Sequence, residues 1–303
     1  MKTIKDPGLG SKFQKPLNRL MNRDGSYNII RKGGLSPTQD FYKYLMELPS
    51  WKFLIFTLFF YIILNLVFTS LYLLVGIDQL RGVPDNQHPF FSAFFFSTQT
   101  FTTVGYGSVS PGKIGAEIIA MIEAFVGLLG FALVTGQLYG RFSRPNARLK
   151  FSRNAIITPF EDSNSLMFKV VNHRNNVLLN TKVKVFLSLD KIDGNNHFNK
   201  DYFQLNLETD TITFFPLTWT LVHIISEDSP LFNLTLEEIK TKRAELFILV
   251  ETFDETFSQE IVQKHSYGQE DFIENVKFES NFRPNNDGKL ELYVDDIDKV
   301  TAI

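Results

Sequence analysis

Thr103-Val104-Gly105-Tyr106-Gly107 can offer a row of peptide carbonyls to a cation, and no side chain in it is placed as a nucleophile. Two glycines let successive peptide units take left-handed dihedrals that a β-carbon disfavours. Carbonyls turned to one side by such a backbone replace the water shell of a dehydrated K⁺ ion. One ribbon cannot enclose an ion, so the motif implies several copies around an axis, most simply four. The rest of the chain offers no rival chemistry. Its histidines (88, 173, 197, 223 and 265) are scattered without metal-ligand spacing, and no nucleophile-base pair can be named. With no cysteine, disulfides and thiolate metal sites are excluded. No catalytic residue, no cofactor and no metal other than the permeant K⁺ is expected.

One stretch imitates a different chemistry. Gly107 to Lys113 fills the first seven positions of a phosphate-binding loop, but Ile114 follows where a magnesium-binding hydroxyl belongs. No soluble strand precedes it and an apolar run follows, which excludes nucleotide binding there.

The elements that must hold the ribbon are two membrane spans. Phe53 to Ile77 is twenty-five residues without a charge, enough for a helix to cross a bilayer. A second span runs from about residue 113 to 140, with small residues at Gly127, Gly130, Ala132, Gly136 and Gly140 that permit close helix approach. Its lone internal carboxylate, Glu123, has two readings: an acceptor behind the filter, or a hydrogen-bonded packing residue. Between the spans, His88 to Phe101 is a proline-started helix too short to cross, which suits a re-entrant helix. Irregular backbone at that depth requires protein or water around it.

Charge sets the orientation. Residues 1 to 52 carry ten Lys and Arg against four Asp and Glu, and Arg141, Arg144, Arg148, Lys150 and Arg153 crowd the exit of the second span. The segment from Asp78 to Gly112 offers only Arg81. Both termini are therefore expected in the cytoplasm of a cell-membrane protein, with the ribbon's mouth outside. The net charge of −2 gives no reason for a nucleic-acid partner. Phe41, Leu45 and Leu48 make one apolar face before Pro49, Trp51 and Lys52, as in a helix lying on the membrane surface; a helix packed on the soluble part shares the pattern. The basic cluster suits anionic headgroups, and equally a plain topological anchor.

From about Asn154 the pattern alternates with period two. Strands are expected at 166–171, 181–187, 202–207, 218–224, 246–251, 257–263, 272–278 and 290–294, separated by turn clusters at 193–196 and 285–288. Thr235-Leu236-Glu237-Glu238 is a capping box that opens one helix. Many short strands read as a β-sandwich. The expected division is a cytoplasmic segment 1–39, an interfacial slide helix 40–49, a pore domain 50–141 (first span about 52–77, pore helix about 89–101, filter 103–107, second span about 113–140), a linker 142–153, and a sandwich 154–303.

Taken together, the chain resembles the inward rectifier potassium channel family, in its bacterial branch. The resemblance rests on the filter, Leu48-Pro49-Ser50-Trp51, Glu123 to Gly127, Arg141 to Pro145, Phe151 to Ala155, Leu217 to His223, Asp228 to Leu231 and His265-Ser266-Tyr267, across residues 40 to 280. It implies a two-span pore with a re-entrant pore helix, an immunoglobulin-like β-sandwich and a homotetramer. It places the bundle-crossing gate at Tyr139, with Thr135 and Phe131 one and two turns back on the pore-facing stripe; an interfacial anchor is the other reading of Tyr139. Gly127 and Gly136 become hinge candidates. Gln99 stands where animal members carry a glutamate, so it and Glu123 are expected to support the filter through a different network. Glu251 falls in the cytoplasmic constriction loop 251–257. Lys52, Arg141, Arg144 and Arg148 become candidate sites for anionic phospholipid. The resemblance also brings the label of a voltage-gated channel. Phe131 stands where strong rectifiers place an acid, so strong polyamine block is not expected. The competing functions are a non-selective cation channel and a membrane-anchored sandwich with a vestigial pore.

Overall fold

The computed structural model describes every residue except 1, 5, 14, 16, 18, 34–39, 144–147 and 193–197. It divides into two compact units, residues 32–144 and residues 1–31 with 145–303.

The membrane unit is helical. Helix α1, Phe41–Glu47, ends where Leu48 leaves helical dihedrals, and Pro49 caps the next helix. Helix α2, Ser50–Val75, is about 39 Å long at 1.5 Å per residue. It stops at Gly76, whose φ of 105° no β-branched residue would tolerate. Helix α3, Pro89–Phe101, opens with proline at its first position, where a missing N–H costs nothing. The His88 imidazole accepts a hydrogen bond from the Phe90 amide there. Helix α4, Ile114–Phe142, is the second long apolar helix. Most of the apolar surface on α2 and α4 faces outward, the inverse of a soluble core and the arrangement a lipid solvent requires. The buried cluster is small: Phe68, Tyr72, Leu80, Ala93, Phe96 and Ala116.

The soluble unit is two packed sheets. The larger runs Lys2–Ile4, Phe198–Leu205, Leu178–Ile192, Glu245–Asp254, Gln259–Tyr267 in spatial order, with Thr211–Phe214 and Lys12–Phe13 pairing onto it. The smaller runs Trp219–Ile225, Ser163–Asn172, Ala155–Phe160, Phe272–Glu274, with Leu149–Phe151 added beside Ser163–Asn172. Inward residues of both sheets, among them Phe168, Leu187, Leu221, Leu246 and Phe272, form one cluster. Helix α5, Leu236–Thr241, carries the expected capping box, with Thr235 and Glu238 each bonding the other's amide. The strands Ala155–Phe160 and Thr211–Phe214 were not anticipated, the first because Pro159 interrupts its alternation.

Two expected boundaries differ. Residues 1–31 are part of the soluble unit and not a separate segment. Strand Lys2–Ile4 extends the larger sheet, and the Leu20 and Met21 amides donate to the buried Glu245 carboxylate at 2.9–3.1 Å. Arg19 and Arg23 both pair with Asp271, so two charges that read as topological markers satisfy a buried acid. The proposed linker also contains the strand Leu149–Phe151, ahead of residue 154. The turn expected at 193–196 lies outside the described residues.

Beside this strap, His265 stacks on Phe151 at 4.3 Å and meets the edge of Tyr267 at 4.7 Å. Burial pushes its imidazole down to about 4, with Arg19 and Arg23 adding to the effect against Asp271 and the Arg23 backbone. The ordinary value is about 6.5, so the unfolded chain takes up this proton first as pH falls. The stability contributed by neutral His265 is complete above that value and is lost as pH drops towards 4. Glu245, whose carboxyl burial raises, works in the opposite direction. His265→Phe is expected to flatten the decline in melting temperature between about pH 7 and pH 5, read by calorimetry; an unchanged slope would assign it elsewhere.

Candidate ion-conduction site

The Thr103–Gly107 ribbon begins where α3 ends. Thr102 donates its amide (3.2 Å) and hydroxyl (2.7 Å) to the Thr98 carbonyl, and the Thr103 amide donates to Thr100 at 3.0 Å. The Gln99 carbonyl then accepts both Val104 (3.0 Å) and Gly105 (3.3 Å) amides. Gln99 thus ties the start of the ribbon to α3 through its main chain. The φ angles of Thr103, Gly105 and Gly107 are 57°, 55° and 82°, whereas Val104 and Tyr106 stay on the negative side. A strand with uniform dihedrals points its carbonyls alternately; dihedrals of alternating hand bring successive peptide groups to one side. Left-handed threonine is an uncommon, strained state that persists only where its surroundings enforce it. The ribbon is exposed along its length, with Val104 54 % and Tyr106 78 % accessible in the single chain.

The far end of the ribbon is clamped. Lys113 meets Asp78 at 2.6 Å, which gives the phosphate-loop lysine a structural task. The Gln79 side chain accepts the Ala116 amide at 3.1 Å, and its carbonyl accepts that of Gly112 at 2.7 Å. Gly82 lies against Ser108 so closely that a β-carbon would fall 2.0 Å from its carbonyl oxygen.

Behind the pore helix Glu123 is fully buried. It receives the Tyr72 hydroxyl at 2.7 Å and touches Ser97, itself bonded to Asn65. The carboxyl group therefore engages α2 and α3, two residues before Gln99, and does not touch the Thr103–Gly107 ribbon. Tyr72, Ser97 and Asn65 were not singled out from sequence; a polar Asn65 inside an uncharged run was the available signal. Gly127 is buried too. A β-carbon on it would lie 2.0 Å from the Phe101 carbonyl, so close packing against the end of α3 accounts for this glycine. Around Gly136 that space is open.

Phe131, Thr135 and Tyr139 share one exposed stripe of α4. The side chain of Arg141 donates to the carbonyls of Leu45 (2.6 Å) and Leu48 and covers the Phe53 ring at 4.8 Å. It satisfies the orphan carbonyls at the end of α1. Lys52 is exposed over Trp51 at 5.4 Å, Arg148 is exposed, and Arg144 lies outside the described residues. Glu251 sits within the strand Glu245–Asp254, ahead of the turn, and pairs with Lys184 at 3.2 Å. An apolar cavity of about 700 Å³ is bounded by Tyr61 and Leu64 of α2, Phe101, and Phe131 and Val134 of α4.

Two family models divide the chain: an ion channel model matches residues 54–143, and the inward rectifier potassium channel C-terminal domain matches 149–303. The chain is 31 % identical over 289 residues to the inward rectifier potassium channel Kirbac3.1 of Paramagnetospirillum magnetotacticum, covering 94 % of this chain and 96 % of that one. It is 26 % identical to the ATP-sensitive inward rectifier potassium channel 12 of Gallus gallus, across 78 % of this chain and 58 % of that one. The G protein-activated inward rectifier potassium channel 4 of Bos taurus is also 26 % identical, across 85 % and 67 %. The voltage-gated label does not apply. A sensor needs several charges on a helix within the field; among the described residues α2 carries only Lys52 in its first turn, and α4 only Glu117, Glu123 and Arg141.

Proposed function

The chain belongs to the inward rectifier potassium channel family, in its bacterial branch, and from that premise we propose that it forms a homotetramer conducting K⁺ passively and selectively through the Thr103–Gly107 filter. The observation that carries this reading is the alternating hand of the filter backbone, anchored on the Gln99 carbonyl. A ribbon of exposed peptide groups is untenable against lipid, and copies facing one another across an axis give it both partners and an ion to hold. The exposed Tyr106 ring is then available to brace against neighbouring pore helices. Ions shed water, occupy successive carbonyl rings and advance by mutual repulsion. Gln99 and Glu123 support the filter from behind, and Glu251 faces the cytoplasmic ion path.

Both termini and the sandwich lie in the cytoplasm of a cell with this protein in its inner membrane, as the basic flanks of the spans support. The Tyr139 stripe forms the gate, with Gly136 the freer hinge. Anionic phospholipid modulates opening through Lys52, Arg144 and Arg148, while Arg141 couples α4 to the interfacial helix. Purified protein in liposomes should carry a K⁺ flux that barium blocks and Na⁺ does not replace. Equal Na⁺ and K⁺ permeability would leave an unselective pore, and no flux would leave the sandwich as the working part. Tyr139→Ala is expected to raise open probability severalfold in bilayer recordings; unchanged gating would move the gate elsewhere.

A further inference from the structure

Counting donors and acceptors around Glu123 locates a proton. Ser97 has one hydroxyl hydrogen and three oxygens beside it: Glu123 Oε1, Asn65 Oδ1 at 3.1 Å and the Asn65 carbonyl at 3.3 Å. The carbonyl is already supplied, because the Thr69 hydroxyl donates to it at 2.6 Å beside the helix amide. Asn65 Nδ2 donates to the Tyr61 carbonyl at 2.8 Å, which turns Oδ1 towards Ser97 and leaves it needing a donor. If Glu123 is ionised, it takes the Ser97 hydrogen and Asn65 Oδ1 goes without. If Glu123 is the neutral acid, it donates to Ser97, Ser97 donates to Asn65, and Tyr72 donates to the other carboxyl oxygen. Both carboxyl oxygens, the Ser97 hydroxyl and Asn65 Oδ1 then each have a partner, as buried groups at membrane depth require. Among the described residues no cation pairs with Glu123; its partners are the two hydroxyls.

We propose that Glu123 is held as a neutral carboxylic acid and drives a one-way hydrogen-bond relay through Ser97 to Asn65. Glu123, Ser97 and Asn65 are thereby positioning residues that lock α3, and with it the Gln99 carbonyl, in the geometry the filter needs. The flux arm of the test rests on the channel reading above; the spectroscopic arm does not.

The full chain is reconstituted in liposomes near neutral pH, where exposed carboxyl groups are ionised. Infrared spectra should contain a carboxylic-acid carbonyl band that Glu123→Gln removes. Glutamine reproduces the neutral acid's donor and acceptor, so Glu123→Gln should keep K⁺ flux within about twofold, while Glu123→Ala lowers it about tenfold. Absence of the acid band, or a Glu123→Gln flux as low as that of Glu123→Ala, would overturn the proposal. If the unsubstituted protein carries no flux, the channel reading fails and the infrared band alone decides the proton.

Discussion

Liposomes carrying Gly105→Ala are expected to take up no K⁺ while the protein still assembles. Gly105 sits at φ 55°, where an L-residue costs about 1–2 kcal/mol. In a tetramer that cost recurs in four copies, for about 4–8 kcal/mol on the conductive form of the filter. A β-carbon here meets nothing within its own chain, so the substitution spares the fold of a single chain and acts on the proposed ring of carbonyls. Thr103 shows why the comparison is fair. It holds φ 57° with its amide donated to Thr100 at 3.0 Å, and Gly105 holds 55° with its amide on the shared Gln99 carbonyl at 3.3 Å. Flux within about twofold of the unsubstituted protein, with barium block intact, would remove the filter from the conduction path.

Gly127→Val should cripple the pore unit itself. Its side chain would begin 2.0 Å from the Phe101 carbonyl, a main-chain atom at the end of α3 that cannot rotate away. Overpacking of this kind costs about 3 kcal/mol. Thermal unfolding in detergent should drop sharply, and size-exclusion profiles should lose the assembled species. Gly136→Val is the control: with open space around it, stability should barely move while gating changes. Equal melting temperatures for the two variants would mean that Gly127 is no packing residue.

What could be read without coordinates follows from how far each signal is local. The spans, the pore helix and the capping box at Thr235 are patterns within one element, and they stand in the structure with ends shifted by a few residues. The roles that changed depend on distant partners. Arg141 reads as a headgroup ligand until the carbonyls of Leu45 and Leu48 meet it. Gly127 reads as a hinge until Phe101 fills the space beside it. Arg19 and Arg23 read as topology markers because Asp271 lies some 250 residues away. Of the Tyr72–Glu123–Ser97–Asn65 network only Glu123 was singled out, for the same reason: hydroxyls and an amide carry no periodicity that points at a carboxyl on another helix. Glu251 closes the expected strand 246–251, and the strand runs three residues past it to Asp254 because the sheet pairing continues there.

The soluble body is written in two instalments, with the whole membrane part spliced between them. Translation therefore delivers Leu20 and Met21 long before Glu245, which waits 225 residues further on. The strands Lys2–Ile4 and Lys12–Phe13 can pair once Phe198–Leu205 has been made, but Leu20 and Met21 must still wait for Glu245. A truncated polypeptide starting after residue 144 would inherit the opposite debt: Ser266 alone would serve the Glu245 carboxylate from the donors seen here, and Tyr202 and Phe247 would lose their cover. Such a fragment should be soluble only at a cost in stability, and a peptide spanning residues 1–31, added in trans, should restore it.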